Sequence, residues 1–183
     1  KKSNKKSFWT AKTMAVGAMC MALSSVLSLI KLWPMPMGGS VTPASMLPLL
    51  LFAYCYGVGP GMVLGALYGV MQFLLDGMAW AALGAIPNLL DYPIAFGLLG
   101  LAGCFRGSKA KMTAGFVLGC FGRFMASFLS GFIFYGQYAP EGVNPVWYSL
   151  TYNGSYMLVE CIICIALGLL VGERLAKELK KVA

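Results

Sequence analysis

The sequence predicts an all-α integral membrane bundle of six transmembrane helices with both termini in the cytoplasm. Three observations carry this. Of the 183 residues, 59% are hydrophobic and only 11% are charged, against about 25% charged in a soluble domain; the mean hydropathy is +0.76. The apolar residues fall into six runs, at about 12–31, 44–56, 60–76, 82–104, 112–135 and 151–172, most of them near the ~20 residues that a helix needs to cross a bilayer. The basic residues gather at the ends of these runs. Six spans with short connections use up the length, so a single membrane domain over 1–183 is expected.

The charge distribution also sets the orientation. Lys1, Lys2, Lys5, Lys6 and Lys12 form one cluster, Arg106, Lys109 and Lys111 a second, and Arg174, Lys177, Lys180 and Lys181 a third. Placing all three in the cytoplasm puts twelve of the fourteen basic residues there, which is the positive-inside pattern. A net charge of +8 distributed this way does not form a phosphate-binding face. Lys31 falls outside and Arg123 lies within a span.

Taken in order, the basic start leads into a first run of span length without an obvious small-residue cleavage site, which predicts a retained helix rather than a signal peptide. In this span Ala11, Ala15, Ala18 and Ala22 recur on one side, and Ala18-x-x-x-Ala22 allows close helix approach. Packing within the protein and docking of a separate membrane partner both fit it. Residues 32–43, LWPMPMGGSVTP, hold three prolines and a Gly-Gly pair, so they cannot continue a helix. They read either as a lid folded back over the protein or as an interfacial loop.

The second span is short, and is expected to be extended by that loop or sunk in the protein. Gly61, Gly65 and Gly69 give the third span a smooth stripe for helix contact. After a short turn bearing Asp76 and Trp80, the fourth span contains IPNLLDYPIAFGLLGLAG. Its carboxylate, Asp91, is costly at membrane depth and marks a site. Asn88, Asp91, Tyr92 and Ala95 share one helical face by spacing. In the fifth span Arg123, Ser127 and Ser130 do the same, and in the sixth Asn153, Tyr156 and Glu160.

At 1.5 Å per residue, Asp91 and Glu160 lie roughly 12 Å below the outer ends of their spans, with Ser127 level with them. Trp33, Trp80, Tyr135, Tyr138, Trp147, Tyr148 and Tyr152 crowd the rim above. The inner halves of these spans are almost wholly apolar, so the arrangement is a pocket open to the outside and not a pore. Asp91 and Glu160 against Arg123 leave one negative charge, which suits a small organic cation between aromatic walls. Asp91 is the expected direct contact, with Tyr92 beside it; Asn153 and Tyr148 offer directional hydrogen bonds. Glu160 either contacts the ligand or pairs with Arg123.

Other chemistry is excluded or weak. There is no histidine, which removes Ser-His and Cys-His pairs and HExxH zinc sites. Cys161-x-x-Cys164 has no second pair and sits in an apolar helix, where free cysteine behaves as a small hydrophobe. No catalytic residue, metal ligand or cofactor is expected, and without a Walker A motif any energy must come from a partner.

Lys31-Leu32-Trp33, Gly38-Gly39-Ser40-Val41-Thr42, Asp91-Tyr92-Pro93, Tyr138-Ala139-Pro140-Glu141-Gly142 and Tyr152-Asn153-Gly154-Ser155-Tyr156 together resemble the thiamine-specific substrate-capture (S) subunits of energy-coupling factor transporters. That resemblance implies a bacterial multi-pass membrane protein that binds thiamine near the outer surface and delivers it through a membrane coupling subunit carrying two ATPases. It implies that residues 33–42 are the lid and that Ala18 and Ala22 dock on the coupling subunit. Trp33, Tyr92, Tyr148 and Asn153 match family binding positions. Asp91 stands where a glutamate is usual, Tyr135 where a tryptophan is, and Ser127 where a histidine is, while Trp80 replaces a nearby aromatic. The same architecture serving another small aromatic vitamin or precursor, or a stand-alone ion-coupled carrier, are the alternatives.

Overall fold

The computed structural model describes residues 9–36, 38–78, 82 and 84–182. Lys1, Lys2, Lys5, Lys6 and Trp80 therefore lie outside the described residues. Among the described residues, five helices are long and apolar enough to cross a membrane, and a sixth apolar helix is shorter.

Helix α1, Ala11–Leu29, begins at a reciprocal cap. The Thr13 N–H donates to Thr10 Oγ1 at 3.2 Å and the Thr10 N–H to Thr13 Oγ1 at 2.9 Å, satisfying donors that a helix start leaves open. Its buried side is Thr13, Val16, Gly17, Cys20, Ser24 and Ser28. Ala18 and Ala22 face outward and are exposed. Packing of the alanine stripe within the protein, one of the two readings of its spacing, is therefore incorrect: the small polar residues and Gly17 take the inner side.

The chain then turns back through two short antiparallel strands, β1 (Trp33–Pro34) and β2 (Ser40–Val41), with Trp33 opposite Val41. Helix α2, Leu47–Tyr56, has ten residues, and Leu47 through Cys55 are all buried. Ten residues give ~15 Å, half a bilayer core, and a helix apolar on every side belongs in the interior. The short second span is thus sunk in the bundle.

Through Gly57 the chain passes directly into α3, Val58–Leu75, which packs on α4, Ala85–Cys104. The glycine stripe makes that contact possible. A Cβ on Gly65 would collide with the Phe96 carbonyl, and one on Gly69 with the Tyr92 carbonyl, so the backbones touch as small residues in membrane helices permit. Helix α4 is not uniform: residues Leu90–Ile94 form a π turn that contains Pro93. A π turn re-aims the side chains after it and is common at functional sites. Here it separates two residues that regular helical spacing puts on one face. Asp91 points into the bundle, whereas the Asn88 amide donates to the Gly84 carbonyl at 2.7 Å and borders a separate apolar groove with Phe73 and Pro93.

Helix α5, Lys109–Phe134, starts at the Ser108 cap and packs along α6, Pro145–Leu167. The sixth helix begins six residues earlier than the apolar pattern indicates. Asn144 caps it through its side chain and Pro145 occupies the first turn, where proline needs no partner for a missing N–H. Tyr148 therefore stands on the helix rather than in a loop. A π turn at Gly168–Gly172 leads into a final helix, α7, Glu173–Val182. It closes the end of α2 opposite the strands: Tyr56 Oη donates to the Leu179 carbonyl at 2.7 Å, and Ala176 is buried.

Candidate functional site

A partly open cleft lies under the β1–β2 hairpin between α1, α3, α4, α5 and α6. Seven of the side chains expected at a binding site line it together: Asp91, Tyr92, Ser127, Tyr135, Tyr148, Asn153 and Glu160. Trp33 does not line it. The hairpin presents Gly38, Gly39 and Ser40 to the cleft, and the Trp33 indole is 52% exposed on β1.

Asp91 sits in the π turn of α4 and accepts a hydrogen bond from Ser130 Oγ on α5 at 2.7 Å. The hydroxyls of Ser127 and Tyr135 lie against the same carboxylate. Tyr148, Tyr152 and Tyr156 descend one side of α6, with ring centroids 6.1 and 5.9 Å apart. They form an aromatic wall across from Asp91's helix.

Asn153, at the base of that wall, uses its amide within the protein. Its Nδ2 donates to the Ser149 carbonyl at 3.1 Å and to the Ser127 carbonyl at 3.3 Å, and its Oδ1 accepts from Tyr156 Oη at 3.1 Å. It staples α6 to α5 while one face borders the cleft.

Glu160 is 1% exposed. One of its oxygens accepts from Thr42 Oγ1 and from Ser45 Oγ, the latter at 2.9 Å; the other lies 3.8 Å from Arg123 Nη1. The Arg123 guanidinium also stacks over the Phe96 ring at 4.2 Å, a cation–π contact. A buried charge needs such partners. Of the two roles left open for Glu160, the geometry provides the pairing with Arg123, and it adds a tie to the foot of the hairpin.

The hairpin is fastened at its tip as well. The Gly39 N–H donates to Tyr152 Oη at 3.2 Å, and Val41 is buried against Tyr156 and Met157. Gly38, Gly39, Ser40 and Thr42 of this segment thus border the cleft.

Several lining residues were not evident from the sequence. Ser28 and Lys31 come from the end of α1, and Tyr68, Gln72 and Asp76 from α3. The last three recur every fourth residue, a helical stripe, but Asp76 reads as part of a surface turn because it ends its span. With them, the cleft holds three acidic groups (Asp76, Asp91, Glu160) and two basic ones (Lys31, Arg123), a formal balance of minus one.

The family of thiamine transporter proteins matches residues 14–179 of the chain. The chain belongs to this family. It is 38% identical over 144 residues to the thiamine transporter ThiT of Bacillus subtilis strain 168, covering 71% of this chain and 73% of that protein. It is 33% identical over 134 residues to the thiamine transporter ThiT of Lacticaseibacillus paracasei, covering 66% and 67%. A solved structure of ThiT from Listeria monocytogenes superposes with a TM-score of 0.79 over 91% of this chain and 96% of that one, at 20% identity, which shows a shared fold. With its apolar helices, the chain is a multi-pass bacterial membrane protein of a transporter family.

Proposed function

We propose that the protein captures thiamine from the outside in the lidded cleft, as the substrate-binding subunit of an energy-coupling factor importer. The observation that carries this is the site itself: a hollow under the hairpin, walled by tyrosines, with Asp91 on one side and a net negative balance. A cationic thiazolium stacks on aromatic faces, and a buried carboxylate supplies its counter-charge. The names of the relatives support the same ligand. In this reading Asp91 and Tyr92 contact the ligand. Ser127, Tyr135, Tyr148 and Asn153 shape the cleft around it, and Glu160 with Arg123 holds the lid's foot. Trp33 is a rim aromatic.

The six helices form one membrane domain with both ends cytoplasmic, the short α2 being the sixth span. That orientation places α7 at the inner surface and the lid at the outer one. The exposed Ala18 and Ala22 form the docking face for a coupling subunit with two ATPases, since small residues on an exposed helix side admit another helix. The test is titration of thiamine into the purified protein while following tryptophan fluorescence. Saturable quenching at micromolar ligand, displaced poorly by the separate pyrimidine and thiazole halves, is expected. Quenching by either half alone as strong as by thiamine would move the assignment to a precursor, and no quenching at all would refute capture.

A further inference from the structure

Along the cleft side of α3, Tyr68 Oη donates to Gln72 Oε1 at 3.0 Å and Gln72 Nε2 donates to Asp76 Oδ1 at 3.1 Å. The second carboxylate oxygen, Asp76 Oδ2, accepts from Tyr92 Oη of α4 at 3.1 Å. Tyr68, Gln72, Asp76 and Tyr92 all line the cleft. The Tyr92 ring has little freedom. It is 8% exposed and meets Phe73 edge-on at 5.2 Å, and its own backbone is pressed on Gly69.

A phenol has one proton to donate and lone pairs to accept with. Tyr92 gives its proton to Asp76, so what its oxygen turns toward the cleft is lone pairs. We infer that Asp76 is a specificity-determining positioning residue: it fixes Tyr92 as a hydrogen-bond acceptor, so that the cleft favours a ligand presenting an N–H or O–H donor there. Gln72 acts behind it, holding the other carboxylate oxygen so that Oδ2 stays on Tyr92. The inference rests on the thiamine reading for its ligand. Thiamine carries two such donors, the exocyclic amine of its pyrimidine and its terminal hydroxyl. A site that accepts from a ligand donor rejects the analogue lacking it, because the buried acceptor is then left unsatisfied.

The experiment compares three ligands by calorimetry: thiamine, oxythiamine (the amine replaced by an oxo group) and the analogue whose hydroxyl is replaced by hydrogen. The wild type is expected to penalise one of the two changes by roughly tenfold or more. Asp76→Ala, which frees the Tyr92 proton, and Tyr92→Phe, which removes the acceptor, should each shrink that same penalty, and the double variant should do no more than either. Asp76→Asn keeps an acceptor oxygen for Tyr92 and should retain the penalty. A uniform loss of affinity for all three ligands in Asp76→Ala, or additive effects in the double variant, would overturn the inference.

If the wild type fails to bind thiamine, the thiamine reading fails. The positioning role is then decided on the ligand-free protein, with ¹³Cζ-labelled tyrosine. The Tyr92 resonance, identified by its absence in Tyr92→Phe, should move in Asp76→Ala and stay near its place in Asp76→Asn. A resonance unmoved by Asp76→Ala overturns the role.

Discussion

Ser130 Oγ on α5 donates to Asp91 Oδ2 on α4 at 2.7 Å across 39 positions of sequence. The bond fixes the Asp91 carboxylate where it lines the cleft, with the Ser127 and Tyr135 hydroxyls against it. Asp91→Asn keeps the shape and removes the charge. Thiamine affinity measured by calorimetry should fall by ~2–5 kcal/mol, the usual effect of neutralising one member of a buried charged pair. Ser130→Ala should cost less, ~1.5 kcal/mol, the low end for a hydrogen bond to a charged group.

Glu160 and Arg123 hold one another and the foot of the lid. Glu160→Gln leaves the Arg123 charge uncompensated among buried groups. It should lower stability by ~3 kcal/mol or more, whereas adding Arg123→Met should recover much of the loss, because removing both charges removes the desolvation penalty. Thermal unfolding of the two variants in detergent decides this. A double variant less stable than Glu160→Gln would contradict it.

Gly39 brings the lid tip against α6. A Cβ there would stand 2.7 Å from Tyr156 Cε1 and 3.1 Å from Tyr152 Oη, so Gly39→Ala should hold the lid off the tyrosine wall. Because changes at one binding surface act mostly on dissociation, stopped-flow fluorescence should show faster thiamine release with association little altered.

Ala18 and Ala22 are exposed and touch no part of the cleft. Ala18→Leu with Ala22→Leu should therefore leave thiamine affinity unchanged while abolishing uptake in cells that supply the coupling complex. Normal uptake by the double variant would remove this face from docking.

Much of this was legible in the sequence for a simple reason. An ionisable residue inside an apolar run stands out, so Asp91, Arg123 and Glu160 announce themselves, and the depth arithmetic brings their helices together. Asp76 did not stand out. It caps α3, where a carboxylate looks like ordinary solvated surface, and only the packing of the Gly65–Gly69 stripe on α4 carries it to Tyr92. Regular helical spacing puts Asn88 on one face with Asp91; the π turn at Leu90–Ile94 breaks that regularity. The alanine spacing in α1 was readable as a contact surface, but not as an outward one, since periodicity gives a face and not its direction.

The claim on which the account depends is that one cleft, between the lid and Asp91, holds the ligand. A structure solved with saturating thiamine tests it most directly. The account predicts the thiazolium ring between the tyrosines of α6 and the Asp91 carboxylate, with the lid closed above it. Ligand density on the far side of α4, beside Asn88, or an empty cleft at saturation, would contradict it.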